Sequence, residues 1–121
     1  GRVIKVPSAV GRAARFRFAD LCERPLGAAD YLAIAERFDS IFVEQIPQLG
    51  PEKRNETKRF INLVDTLYDN AVRLYVSAAA APDDLLTERR GTEGFEFDRT
   101  VSRLFEMRSA DYAAVHAQRH P

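Results

Sequence analysis

The sequence predicts an α/β protein in which a few parallel strands are layered with helices, a β-hairpin stands near the start and a small helical lid closes the end. Apolar runs at 41–43 and 72–76 flank the stretch 52–68, whose apolar residues recur at helical spacing. Strand, helix, strand in that order reads as a βαβ unit with a parallel sheet and a right-handed crossover. Residues 14–18 alternate cleanly, Ala14, Phe16 and Phe18 on one side and Arg15 and Arg17 on the other, the period of a half-buried strand. After Pro82 the apolar positions return to helical spacing, with Phe97, Val101, Leu104 and Phe105 on one face.

The elements follow in order. Residues 3–6 read as a short strand stopped by Pro7, which cannot donate into a ladder. Residues 8–11 read as a turn, and with the strand at 14–18 they complete a hairpin over 2–18 whose outer face carries the arginines. Pro25 and Gly27 break the chain before a helix at 28–38 with Tyr31, Ile34, Ala35 and Phe38 on its apolar face. The all-apolar run Ile41-Phe42-Val43 predicts a strand covered on both faces. Pro47 and Gly50 end it, and Pro51 suits the first position of the next helix. That helix, 52–68, is highly charged in its first half and apolar at Phe60, Ile61, Val64, Leu67 and Tyr68 in its second. Val72, Leu74 and Val76 predict a second inner strand, followed by a small-residue loop at 77–82 and a helical turn at 83–86. The polar stretch 87–94 reads as a mobile connection to a helix starting near Phe97 or Asp98. Tyr112 and Val115 predict a final short helix, with the tail from His116 to Pro121 frayed.

The 121 residues suit a single compact unit, with 45% hydrophobic and 30% charged residues, the composition of a soluble intracellular protein. No apolar run nears the roughly 18 residues of a membrane-spanning helix. Basic and acidic residues balance at 18 each. The first segment nevertheless holds Arg2, Lys5, Arg12, Arg15 and Arg17 before its first acid, Asp20, so a solvated edge or a surface for nucleic acid, anionic lipid or an acidic partner is expected there. The opening Gly1-Arg2, with no initiator Met, is expected of a processed or engineered chain or of a piece of a larger polypeptide.

Several chemistries are absent. There is no Gly-x-x-x-x-Gly-Lys-Ser/Thr phosphate loop and no Gly-x-Gly-x-x-Gly. His116 and His120 stand four apart but lack a third ligand, so no metal is expected. Cys22 has no neighbouring His, and Ser77 lacks the Gly-x-Ser-x-Gly elbow of a hydrolase. No complete active site is present.

A resemblance to a known family runs collinearly along nearly the whole chain. It is carried by Arg2-Val3-Ile4-Lys5-Val6-Pro7, Phe16-Arg17-Phe18-Ala19-Asp20-Leu21-Cys22, Pro25-Leu26-Gly27-Ala28-Ala29-Asp30-Tyr31-Leu32, Arg54-Asn55-Glu56, Arg59 to Asp69, Ser77-Ala78 and Phe95 to Met107. These segments resemble the ZapE-like, lactation-elevated-protein family of AAA+ ATPases. The resemblance implies the C-terminal part of an AAA+ (P-loop NTPase) core, with residues 1–82 as the second half of the core, the hairpin as an insertion, and 83–121 as the helical lid. The phosphate loop and Mg²⁺-binding strand of the family would lie upstream. ATP and Mg²⁺ are then expected for the intact parent, and neither binding nor hydrolysis for this fragment alone.

The resemblance also implies roles for residues. Glu44 or Gln45, at the end of the 41–43 strand, would occupy the position that senses the γ-phosphate, although Asn, Thr or Ser is usual there. A helix cationic at its start can offer an arginine to a neighbouring subunit, and such an arginine is worth about a thousandfold or more in rate in related systems. Arg59 is the first candidate and Arg54 the second, against an exposed face laced with ion pairs. Arg103, then Arg99, would be the lid arginine that contacts nucleotide in cis, against a surface arginine paired with Asp98 or Glu106. The parent is expected to form a homo-oligomer acting on a protein client or cell-division protein, in the bacterial cytoplasm or alternatively a mitochondrial matrix. The competing reading is a non-catalytic interaction domain that binds an acidic partner through Arg15 and Arg17. Nucleic acid is disfavoured, because Phe16 and Phe18 face inward and leave no stacking ladder.

Overall fold

The alternation around Phe16 sets the sheet. In the computed structural model, which describes residues 4–88 and 91–121, Ala14 and Phe16 of β2 (Ala13–Arg17) are buried and Arg15 and Arg17 are exposed. β1 (Ser8–Val10) pairs antiparallel with β2 across a loop of Gly11 and Arg12. Gly11 has φ +58°, the backbone that a two-residue hairpin needs at its first loop position and that glycine adopts without steric cost. Because the chain reverses there, the partners of β2 lie at 8–10, the segment expected to be the turn. The strand expected at 3–6 is not formed over residues 4–6, and Arg2 and Val3 lie outside the described residues. The hairpin is continuous with the rest of the sheet, since β2 pairs in parallel with β3 (Ser40–Ile46).

Phe18, expected to close the strand, instead opens α1 (Phe18–Cys22). The Asp20 carboxylate accepts the Arg17 N–H at 2.8 Å, satisfying a donor at the helix start. Asp30 does the same for the Gly27 N–H at 2.8 Å, opening α2 (Ala28–Arg37) with the predicted apolar face inward. A single 3₁₀ turn (Pro51–Lys53) leads into α3 (Arg54–Asp69), which returns the chain to β4 (Arg73–Ala78), parallel to β3. The sheet runs β1-β2-β3-β4. Both crossovers step the same way along it, which puts α2 and α3 on one face, packed against each other.

Two expectations about the strands change. β3 is not covered on both faces: Ile41 and Val43 are buried, but Phe42 is only half-buried and stacks on Tyr75, ring centroids 4.6 Å apart. β4 is an edge strand and not an inner one, with Tyr75 43% and Val76 42% exposed.

The helical end is more ordered than expected. α4 (Pro82–Leu85) is followed by α5 (Gly91–Glu106), which starts well before Phe97, so 91–94 is helix and not mobile connection. Residues 89 and 90 lie outside the described residues. In the first turn of α5, Glu93 is ion-paired to Arg54 at 2.7 Å and Lys58 at 3.4 Å of α3, which ties down a stretch that looks purely polar in sequence. α6 (Ala110–Arg119) is capped by the Ser109 hydroxyl, which accepts the Tyr112 N–H at 3.1 Å. The tail is docked, not frayed. His116 Nδ1 lies 2.8 Å from the Ala71 carbonyl, His120 Nε2 lies 3.1 Å from that of Asn70, and Arg119 donates to that of Asp69 at 3.0 Å. These groups complete the carbonyls at the end of α3, where no intrahelical donor remains. An aromatic row, Phe18–Phe60–Phe97 with centroids 6.1 and 6.2 Å apart, runs through α1, α3 and α5 and makes one core of them. Among the described residues no helix is long and apolar enough to cross a membrane.

Candidate functional site

Parallel α/β sheets bind ligands beyond the carboxyl ends of their strands, where loops diverge. In this chain those ends are β3 at Ile46 and β4 at Ala78, and the ladder between them is irregular from Val43 to Ile46. The irregularity is centred on Gln45, a non-glycine residue at φ +59°. A left-handed backbone costs an L-residue about 1–2 kcal/mol and persists only where its surroundings over-determine it. They do so here. The Glu44 carboxylate is held by Arg15 at 3.0 Å, the Gln45 N–H donates to Ser77 Oγ at 3.2 Å, and Ile46 is anchored in the core. The Ala79 N–H then donates to the Ile46 carbonyl at 2.8 Å and closes the ladder beyond the bulge. The Gln45 side chain is exposed at the tip, a neutral amide able to donate and accept.

The predicted arginines occupy different places. Arg59 is turned inward, donating to the Cys22 carbonyl at 3.0 Å and so completing the end of α1. Arg54 is 67% exposed and sits with Glu93 beside a cavity of about 380 Å³ between the starts of α3 and α5, which Gly50, Thr57 and Leu86 also line. Hydrogen bonding to Arg54 holds the Glu93 carboxyl below its ordinary range. Arg103 binds Asp65 of α3 and lies over the Tyr68 ring, 5.1 Å from its centroid, with a side chain only 23% exposed. Arg99 is exposed on α5.

The arginines of the hairpin region each face an acid. Arg12 meets Asp39 at 3.3 Å, Arg15 meets Glu44 and Arg17 meets Asp20 at 3.3 Å. Burial pushes the Asp20 carboxyl up, but the Arg17 N–H and guanidinium outweigh it and hold the group below the usual aspartate range. Arg15 also lies 5.7 Å from the centroid of the Phe42 ring.

Cys22 is fully buried, and burial pushes its thiol up to about 12, so it is a protonated packing residue and not a nucleophile. The ring nitrogens of His116 and His120 that face backbone carbonyls are not disposed around a cation, and no group of three metal-ligating side chains occurs among the described residues. Sequence reasoning missed Ser77 as part of the site, reading it as the start of a small-residue loop that lacks a hydrolase elbow. Its one signal was position, a hydroxyl at the carboxyl end of a predicted parallel strand.

Residues 1–116 match the family model described as AFG1-like ATPase. The chain is 33% identical to lactation elevated protein 1 homolog B of Danio rerio over 93% of its own length and 28% of that protein's. An uncharacterized protein of Schizosaccharomyces pombe is 33% identical over 93% of this chain and 30% of its own length. The cell division protein ZapE of Escherichia coli K12 is 35% identical over 78% of this chain and 25% of its own. The chain thus spans between a quarter and a third of these relatives. No solved structure matches it.

Proposed function

The chain belongs to the AFG1-like ATPase family, and from that membership we propose that it supplies the phosphate-sensing edge and the lid of an ATP-hydrolysing AAA+ core. The observation that carries this reading is the strained, clamped Gln45 at the carboxyl end of parallel β3. Strain of this kind gathers where a backbone must aim one side chain, and the sensing position of such a core needs a neutral polar group there. Gln45 carries the same amide as the usual Asn, one methylene further out.

The described residues suit sensing and closure and do not by themselves suit a nucleotide. They hold no Gly-x-x-x-x-Gly-Lys loop and no cluster of three ligands for Mg²⁺. ATP with Mg²⁺, held by the rest of the polypeptide, would supply the transferable phosphoryl group. Within this chain Gln45 would hydrogen-bond to and orient that group, Glu44 is occupied by Arg15, and residues 83–121 would serve as the lid. Arg99 is the better placed lid arginine, since Arg103 serves as a strut between α5 and α3. Of the two arginines of α3, the exposed Arg54 is the one able to reach a neighbouring copy, on release from Glu93. Arg59 would have to abandon the end of α1. The setting in this proposal is a homo-oligomer of a bacterial cytoplasm or mitochondrial matrix that remodels a protein client. The alternative, an interaction module reading an acidic partner through Arg15 and Arg17, has less support because both guanidiniums already face Glu44 and Asp20.

The test uses the full-length polypeptide that contains these residues. Gln45→Ala is expected to lower kcat for ATP by about tenfold or more while leaving the fold intact. Residues 1–121 alone are expected to show no turnover. A kcat unchanged by Gln45→Ala would remove Gln45 from the mechanism.

A further inference from the structure

We infer that Ser77 is a positioning residue for this reaction, acting through Gln45; the inference rests on the ATPase reading above. Ser77 stands near the end of edge strand β4, and its hydroxyl accepts the Gln45 N–H at 3.2 Å across the bulge between β3 and β4. The bulge takes that N–H out of the regular ladder between the strands. Without the hydroxyl it would turn to water, and one of the restraints holding φ at +59° would be lost. The other restraints act on neighbours: Arg15 on the Glu44 side chain, and the core and the Ala79 N–H on Ile46. The Ser77 hydroxyl, by contrast, grips a backbone group of Gln45 itself.

The arrangement couples two strands. A shift of β4 relative to β3, as when a neighbouring element packs on the exposed edge at Tyr75 and Val76, moves the Ser77 oxygen and with it the residue aimed at the ligand. Because the side chain of Ser77 is spent on the Gln45 backbone, it contributes orientation and not binding. Its loss should therefore appear in kcat and not in KM.

Two measurements separate this inference from the reading beneath it. In residues 1–121, exchange of the Gln45 amide hydrogen is compared in the parent chain, Ser77→Ala and Ser77→Thr. Loss of one hydrogen bond should raise exchange by roughly fivefold to tenfold in Ser77→Ala and leave it near the parent value in Ser77→Thr. Unchanged exchange in Ser77→Ala overturns the clamp whatever the enzyme does. In the full-length polypeptide, Ser77→Ala should lower kcat for ATP by about fivefold with KM within about twofold, Ser77→Thr should restore it, and Ser77→Ala combined with Gln45→Ala should be no slower than Gln45→Ala alone. Faster exchange with an unchanged kcat leaves a structural hydrogen bond and overturns the positioning role. A full-length protein that does not turn over ATP at all overturns the ATPase reading, and the catalytic part of this inference with it, while the exchange result still decides the clamp.

Discussion

Where α5 and α6 meet α3, polar groups end on partners inside the fold: Arg103 on Asp65, Tyr112 Oη on the Val72 carbonyl at 2.6 Å, and His116 on that of Ala71. At the tip of β3 the backbone is strained, its clamp is exposed, and the amide of Gln45 is left facing outward. The first region uses side-chain chemistry to hold α5 and α6 to α3 and the segment that follows it. The second uses stability from its surroundings to keep one side chain in a conformation it would otherwise leave. The difference teaches that charged residues singled out in the sequence can end on partners inside the fold, while backbone strain such as that at Gln45 has no local signature in the sequence.

The largest expected effect tests whether the helical region is one core. Phe60 is 1% exposed and bridges Phe18 and Phe97. Phe60→Ala should cost about 3–5 kcal/mol in urea denaturation, a large share of the roughly 5–15 kcal/mol that keeps a domain folded. A loss under about 1 kcal/mol would mean that the helical end packs independently of the rest.

Arg103 sharpens the comparison at a middle scale. Arg103→Ala leaves the partly buried Asp65 without its guanidinium and should cost about 1–2 kcal/mol. Amide exchange across α5 should rise more than across β3. Should stability and exchange stay unchanged while nucleotide affinity of the full-length protein falls, Arg103 is a ligand contact after all and the strut reading is wrong.

The smallest effect has the opposite sign. Gln45→Gly removes a left-handed strain of about 1–2 kcal/mol. Glycine's greater freedom in the unfolded chain takes back roughly 0.5–1 kcal/mol. A net gain of about half a kcal/mol is expected in the same denaturation experiment, together with a loss of ATP turnover in the full-length polypeptide. A destabilised Gln45→Gly would show that the Gln45 side chain contributes contacts of its own and that the tip is not strained for function.

The βαβ unit was legible because its periodicities are strong and uninterrupted: Ile41 and Val43 at a spacing of two, Phe60, Val64 and Leu67 at a helical spacing. The helix at 28–38 was legible for the same reason. The first strand was misplaced because Ile4 and Val6 are as apolar as a strand requires, and only the turn geometry at Gly11 reveals that the partners of β2 are Ser8 to Val10. The tail was misjudged because the docking of His116 and His120 depends on carbonyls about 45 to 50 residues earlier. Of the candidate site, the resemblance pointed to Glu44 or Gln45 at a strand end without choosing between them, Ser77 was not identified, and Arg54 and Arg103 were identified as notable without their partners.

By itself the sequence determined the α/β class, the order of the main helices and strands, the inward faces of α2, α3 and α5, and membership in an ATPase family, because each of these rests on local spacing or collinear similarity. The tertiary structure alone decided which groups the arginines meet, that β4 lies at an edge, that the tail caps α3, and that the left-handed Gln45 donates its N–H to Ser77. Those facts depend on pairs up to 50 residues apart. Local spacing constrains which face a side chain takes, but which distant group waits there is settled only when the chain has packed.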